Sequence, residues 1–207
     1  HGTMHGTIPT RDRNGKEGGA LHFDGNSYII VPHSDSLNPK NQLTLSTWIK
    51  IEEITNGWSP IIHKGGTTQY GYKNREYSLW HHRNPHLHFT SAGKDSNQHT
   101  YNTTVKKDEW THFLVSLDRK NHTISTYLNG QLIATESDSY SDFNNNSDDL
   151  RFGSSAETSS NFSNFTGSMD STRLYSRALN AEEVVLLYGH ESNDPSDDRD
   201  TPPPPPA

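Results

Sequence analysis

Apolar and polar residues alternate along most of this chain in short runs bounded by Gly, Asn, Asp and Ser, the pattern of half-buried β-strands. Leu43, Leu45, Thr47, Ile49 and Ile51 fall on one face of a predicted strand, with Thr44, Ser46, Trp48 and Lys50 on the other. Thr111, Phe113, Val115 and Leu117 form a second inward row. Shorter strands are predicted at Ala20–Phe23, at Tyr28–Val31, which Pro32 ends, at Pro60–Lys64, and from Leu150. Tyr77, Leu79 and His81 alternate with Ser78, Trp80 and His82; Arg83-Asn84-Pro85 turns the chain; Leu87 and Phe89 then alternate with His86, His88 and Thr90. With Leu79, Leu87 and Phe89 directed inward, Trp80, His82, His86 and His88 share the opposite face. Asn129-Gly130 between Ile124–Leu128 and Gln131–Ala134 predicts a hairpin, because both turn residues tolerate the positive φ of a type I′ turn.

Residues 1–19, 67–75, 137–149 and 154–165 lack such periodicity and read as polar connections. The last strand alternates Met169, Ser171, Arg173 and Tyr175 with Ser168, Asp170, Thr172 and Leu174, so it carries a single carboxylate, Asp170. A short helix follows. Asn180 is positioned to cap it, Glu183 to reach back as the acid of a capping box, and Gly189 to end it in a left-handed turn.

Composition changes this picture in three respects. Mean hydropathy of −0.94 and an apolar fraction of 29% would suit a disordered chain if the apolar residues were scattered. Gathered into rows, they suffice for one β-sandwich in 207 residues. The formal charge of −7 is uneven, since residues 191–207 hold five acids against Arg199, leaving about −3 for the rest. No basic stripe is present, which argues against a nucleic-acid partner. Without cysteine there is no disulfide scaffold or zinc–thiolate site. No run of eighteen apolar residues and no signal-peptide pattern occurs, so membrane insertion is not expected. Residues 1–190 are therefore expected to form one domain and the acidic, Pro-rich 191–207 a linker, with the whole a monomeric module of a longer protein.

The closing segment has the form G-x-x-D-x-x-R-x-Y-x-R-A-L, from Gly167 through Asp170, Arg173, Tyr175 and Arg177 to Leu179, and an acidic helix follows. With His22-Phe23-Asp24-Gly25, Leu45-Ser46-Thr47-Trp48-Ile49, Trp110-Thr111-His112-Phe113 and Tyr127-Leu128-Asn129-Gly130 in order before it, the chain resembles the laminin G-like, concanavalin A-like domains of bacterial extracellular proteins from about Gly6 to Gly189. The resemblance implies an all-β fold, a two-sheet antiparallel jelly-roll sandwich with one short C-terminal helix. It also implies a secreted or cell-surface setting in bacteria, in a polysaccharide-degrading enzyme or an adhesin.

Three constellations bear on chemistry. The resemblance implies a structural calcium ion between Asp24 and Asp170, with Asn26 as a further oxygen donor; calcium takes six to eight oxygens, and the competing reading is that Asp24 caps its own turn. The face bearing Trp80, His82, His86 and His88, bordered by Tyr70 and Tyr72 and by Trp58 and Tyr101, suits a polysaccharide or cell-surface glycan, because flat rings cover the apolar faces of sugars while polar groups take their hydroxyls. The alternative is that Trp80 packs beneath a loop among surface histidines. A zinc centre built from His81, His82, His86 and His88 is the weaker metal reading: zinc needs four ligands in a tetrahedral array, of which His86 and His88 on one strand provide two, and nothing resembles H-E-x-x-H. Catalysis has little support: Glu52 and Glu53 are adjacent and so point oppositely, and Glu136 and Asp138, spaced correctly, run into a polar loop. Carbohydrate binding or adhesion without catalysis is the expected function, with a structural or protein-binding spacer as the alternative and glycan hydrolysis or lysis a third reading. The five N-x-S/T sequons at Asn102, Asn121, Asn145, Asn161 and Asn164 carry no weight in a chain this rich in Asn and Ser.

Overall fold

The structure is a computed structural model describing residues 1–55, 57–66, 74–83, 86–92, 98–140, 142, 143, 145–157 and 159–193, without the side chains of 98–102 and 193. Among the described residues there are fourteen strands: β1 Thr3–His5, β2 Ile8–Thr10, β3 Ala20–Asp24, β4 Tyr28–Val31, β5 Gln42–Ile51, β6 Trp58–Gly65, β7 Arg75–His82, β8 His86–Ala92, β9 Gln98–Thr104, β10 Thr111–Asp118, β11 Thr123–Leu128, β12 Gln131–Ser137, β13 Leu150–Phe152 and β14 Thr166–Tyr175. One α-helix, α1, spans Ala181–Asn193. The strands form two seven-stranded antiparallel sheets, in the orders β1-β4-β13-β6-β7-β8-β9 and β12-β11-β10-β5-β14-β3-β2.

The predicted inward rows meet between the sheets. Leu43, Leu45, Ile49 and Ile51 of β5, Phe113, Val115 and Leu117 of β10, Tyr77 and Leu79 of β7, Leu87 and Phe89 of β8 and Met169 of β14 belong to one buried cluster. His81 continues the β7 row and is fully buried, where burial pushes its imidazole down to about 4 and so keeps it neutral. At the hairpin, Asn129 and Gly130 adopt φ of 49° and 73° as the type I′ turn requires, and a Cβ on Gly130 would lie 2.7 Å from the Tyr188 ring.

Helix α1 covers the outer face of the second sheet through Val184 and Leu187, which pack with Leu179 on Leu114 and Tyr127. Its start is the predicted capping box: Asn180 Oδ1 accepts from Glu183 N at 3.0 Å and Glu183 Oε2 from Asn180 N at 2.9 Å. Its end is not as predicted. Gly189 remains inside the helix, which continues to Asn193, and Glu191 is only 2% exposed. The expected boundary after residue 190 is therefore corrected: Glu191 is part of the folded body.

What holds Glu191 is an ionic cluster on the outer face of β5 and β14. Its carboxylate accepts from Trp48 Nε1 and from Arg173 Nε, both at 2.7 Å. Its carbonyl accepts from Arg13 Nε at 2.8 Å and Nη2 at 2.6 Å. Arg13 in turn pairs with Asp170 through Nη1, donates to Ser171 Oγ at 3.0 Å, and lies 5.0 Å over the Trp48 ring. Ser171 holds a left-handed φ of 44° at the bulge where the β14–β5 register shifts. The segment before β3, irregular in sequence, thus fastens both the closing strand and the helix.

Candidate functional site

The outer face of the first sheet carries the predicted ligand residues, and its register explains which of them reach solvent. Trp58 lies opposite His82 across β6 and β7, and Trp80 lies opposite His88 across β7 and β8. Trp80, His82 and His88 share a face, as the alternation predicted, and Trp58, expected only at its border, joins them from β6. The segment between β13 and β14 then lies over the part of that face around Trp80. Trp58 N donates to Asn161 O at 2.9 Å and Ser163 N to Trp58 O at 3.0 Å, so the segment runs alongside the start of β6.

Trp80 lies beneath this cover and is 1% exposed. Phe162 packs on it at 5.0 Å, His63 meets it edge-on at 5.3 Å, and the Arg75 guanidinium sits 4.6 Å from its ring centroid. Glu157 closes the arrangement by accepting from Arg75 Nε at 2.5 Å, Arg75 Nη2 at 2.9 Å and His63 Nε2 at 2.9 Å. Burial raises the Glu157 carboxyl, but the hydrogen bonds from His63 and Arg75 and the Arg75 charge outweigh it and hold the group at about 2. Burial depresses His63 against the pull of Glu157, so it donates as a neutral imidazole. The placement of Trp80 as a sugar platform is therefore corrected; it is the floor under a loop.

Trp58 takes the exposed position instead. Half-buried, its indole lies 4.2 Å from the His82 ring, 4.6 Å from His88 and, edge-on, 6.5 Å from His86. His82 and His86 are 5.4 Å apart. His82 and His86 are half-buried, and His88 is 9% exposed. Partial burial lowers both outer imidazoles below the ordinary value, and the charges of His86 and Arg83 lower His82 further. The result is one indole surrounded by three imidazoles at the end of the sheet where Arg83 begins the turn. Its signal in the sequence was the period-two step back from Pro60 to Trp58, which an expected strand start at the proline concealed. Tyr101 falls in β9, opposite Phe89, rather than in a loop. Tyr70 and Tyr72 lie outside the described residues.

The expected calcium residues do not converge. Asp24 pairs with Thr166, so Asp170 lies four residues further along β14, about 13 Å away at a rise of about 3.3 Å per residue. Asp24 Oδ1 accepts from Asn26 N at 2.9 Å and Ser27 N at 2.8 Å, the turn-capping alternative, and those bonds lower its carboxyl. Asp170 faces the Arg13 guanidinium, which supplies the positive charge a cation would have brought. The set Asp24, Asn26 and Asp170 does not fit one calcium ion. Among the described residues no three His, Asp or Glu side chains are grouped as metal ligands, so His81, His82, His86 and His88 do not form the zinc set either.

Nor do the spaced acids form a catalytic pair. Asp138 is buried against Arg119, whose Nε donates to it at 2.9 Å, while Glu136 is exposed. Among the described residues no helix is long and apolar enough to cross a membrane.

The sequence matches the concanavalin A-like lectin/glucanases superfamily over residues 23–185. No curated protein matches it. Among solved structures, the binding domain of Paraclostridial Mosquitocidal Protein 1 is similar with a TM-score of 0.73 and 18% identity over 92% of this chain and 48% of that one. The botulinum neurotoxin serotype G binding domain gives 0.71 and 17% over 93% and 47%. A botulinum neurotoxin type C structure, whose cell entry is described as dependent on interaction with two ganglioside molecules, gives 0.70 and 14% over 91% and 46%. At these identities the likeness is one of fold, and the chain spans about half the length of each.

Proposed function

From the premise that this chain belongs to the concanavalin A-like lectin/glucanases superfamily, we propose that it is a non-catalytic carbohydrate-binding module of a larger extracellular protein, one that attaches its parent to a polysaccharide or a cell-surface glycan. The observation that carries this reading is the half-buried indole of Trp58 among His82, His86 and His88, at the edge of the cover that Phe162 forms over Trp80. An indole offers a flat apolar surface to the C–H face of a sugar ring, and the imidazoles offer donors and acceptors to its hydroxyls at the rim. The similar toxin domains favour the same direction, since ganglioside interaction is described for one and a complex with SialylT for another.

A binding role is favoured over hydrolysis because Asp138 is committed to Arg119 and Glu157 to Arg75 and His63, so neither is placed as a general acid or base beside the Trp58 cluster. The test is a panel of plant, algal and host polysaccharides offered to the wild type and to Trp58→Ala, with circular dichroism as the control for folding. Binding by the wild type and its loss in Trp58→Ala supports the proposal. Equal binding by the variant moves the site elsewhere, and a wild type that binds no glycan favours the spacer reading.

A further inference from the structure

Beside Trp58, His82, His86 and Arg83 are able to carry positive charge, and among the described residues no carboxylate faces them. On β7 the cluster holds His82, on β8 His86 and His88, and Arg83 leads out of β7 into the turn. Among the described residues, every other charged group on the elements around it is occupied or distant, Glu76 standing at the far end of β7 where it accepts from Asn146. Glu157, on the covering segment, is bonded to Arg75 and His63 at the other end of the face, and the part of that segment beside Trp58, Asn161 to Ser163, carries no charge. On β9, Thr104 stands opposite His86 and Asn102 opposite His88, neither of them ionisable. Beyond β9, Lys106 pairs with Glu109 and Lys107 with Asp108. On the approach to β6, Glu52 is taken by Lys50 and Ser168, and Glu53 is exposed at the start of that segment. The imidazoles of His82 and His86 and the guanidinium of Arg83 thus face no carboxylate among the described residues, in a protein whose net charge is −7.

Resting on the glycan reading of this same face, we infer that its ligand is an anionic sugar, one bearing a carboxylate or a sulfate, and that binding is coupled to protonation of His82 or His86 so that affinity rises on acidification. The physical reason is reciprocity. An anion 4–6 Å from an imidazole favours its charged form, and by linkage the charged form binds the anion more tightly by the same factor. In the free protein the imidazoles repel one another and Arg83, and partial burial also favours their neutral forms. An anionic group set beside the Trp58 ring reverses both preferences while the sugar ring stacks on the indole. A neutral sugar supplies the stacking and leaves the protons where they are.

Two measurements on the intact chain test this. The first follows the His82 and His86 ring protons by NMR through a pH titration in chloride and in sulfate at equal ionic strength. Sulfate is expected to raise the midpoint of at least one of them, and unchanged midpoints would overturn the anion site. The second is an array of matched neutral, carboxylated and sulfated glycans read at about pH 5.5 and about pH 8, on either side of the ordinary imidazole range. Carboxylated or sulfated members are expected to bind about tenfold more tightly at the lower pH, the factor that one unit of imidazole shift confers. The His82→Gln/His86→Gln double variant is expected to lose that ratio. Neutral glycans binding as tightly as anionic ones, or a signal indifferent to pH, would overturn this inference and leave the glycan reading standing. An empty array would overturn the glycan reading and this ligand class with it, even where sulfate still moves the imidazoles.

Discussion

Replacing Glu191 by alanine should be among the most damaging single changes in the protein, although composition places this residue in a tail. The substitution leaves the buried Trp48 Nε1–H without its acceptor at 2.7 Å and Arg173 without its carboxylate, while Arg13 keeps Asp170. Breaking a buried ion pair by removing one partner costs about 3–5 kcal/mol. Arg173 is about a quarter exposed, which places its share at the lower end, and an orphaned buried N–H adds about 1–3 kcal/mol. A loss of about 4 kcal/mol is expected, a large part of the roughly 5–15 kcal/mol that holds a domain together. Glu191→Gln keeps an acceptor for Trp48 and should lose about half as much, whereas deleting residues 194–207 should cost about 0.5 kcal/mol or less. Urea unfolding followed by circular dichroism reads all three. With a slope of about 2.5 kcal/mol per molar, the midpoint of Glu191→Ala should fall by about 1.5 M. A midpoint within about 0.3 M of wild type would refute the ionic cluster as a structural element.

Acid should destabilise the protein well before its carboxylates protonate. Burial pushes His112 down to about 3 and His81 down to about 4, so between about pH 6.5 and 4.5 the unfolded chain takes up protons that the folded one refuses. Each group then removes about 1.4 kcal/mol per pH unit, or about 5 kcal/mol for the pair over that interval, with Glu76, raised by burial, acting in the opposite direction; a flat profile of urea midpoint against pH would contradict this. Trp80→Ala should cost about 3–5 kcal/mol as a core truncation, whereas Trp58→Ala should change stability by about 1 kcal/mol; equal midpoints for the two variants would show that the assignment of floor and platform is wrong. Chelation of divalent cations should leave the melting temperature unchanged, because Arg13 occupies Asp170 and a turn occupies Asp24; a fall on adding EDTA would reveal a cation bound elsewhere.

The rows of period two were sufficient to recover the core, because Leu43, Phe113 and Leu79 recur at intervals that only one face of a strand satisfies. They also identified the face shared by Trp80, His82, His86 and His88. They did not reveal what lies over that face. The cover depends on Glu157 meeting Arg75 at a separation of 82 residues, a contact with no local signature, and it decides that Trp80 is a floor and Trp58 a platform. The same applies to the helix end: Gly189 permits a left-handed turn, but Trp48, 143 residues from Glu191 in sequence, draws the helix onward. Edge strands were missed for another reason. β1 and β2 span three residues each and bury little, so they carry no alternation to read, and β9 follows the β8 strand across a segment with no strong turn dipeptide.

Whether Trp58 is the sugar platform is read by indole NMR. The chain has four tryptophans, so four Nε1–H cross-peaks report separately on Trp48, Trp58, Trp80 and Trp110 during titration with a glycan that the protein binds. The Trp58 peak is expected to move progressively to saturation, while the peaks of Trp48, held by Glu191, and of Trp80, beneath Phe162, stay in place. Saturable binding with the Trp58 peak unmoved would contradict the platform role of Trp58.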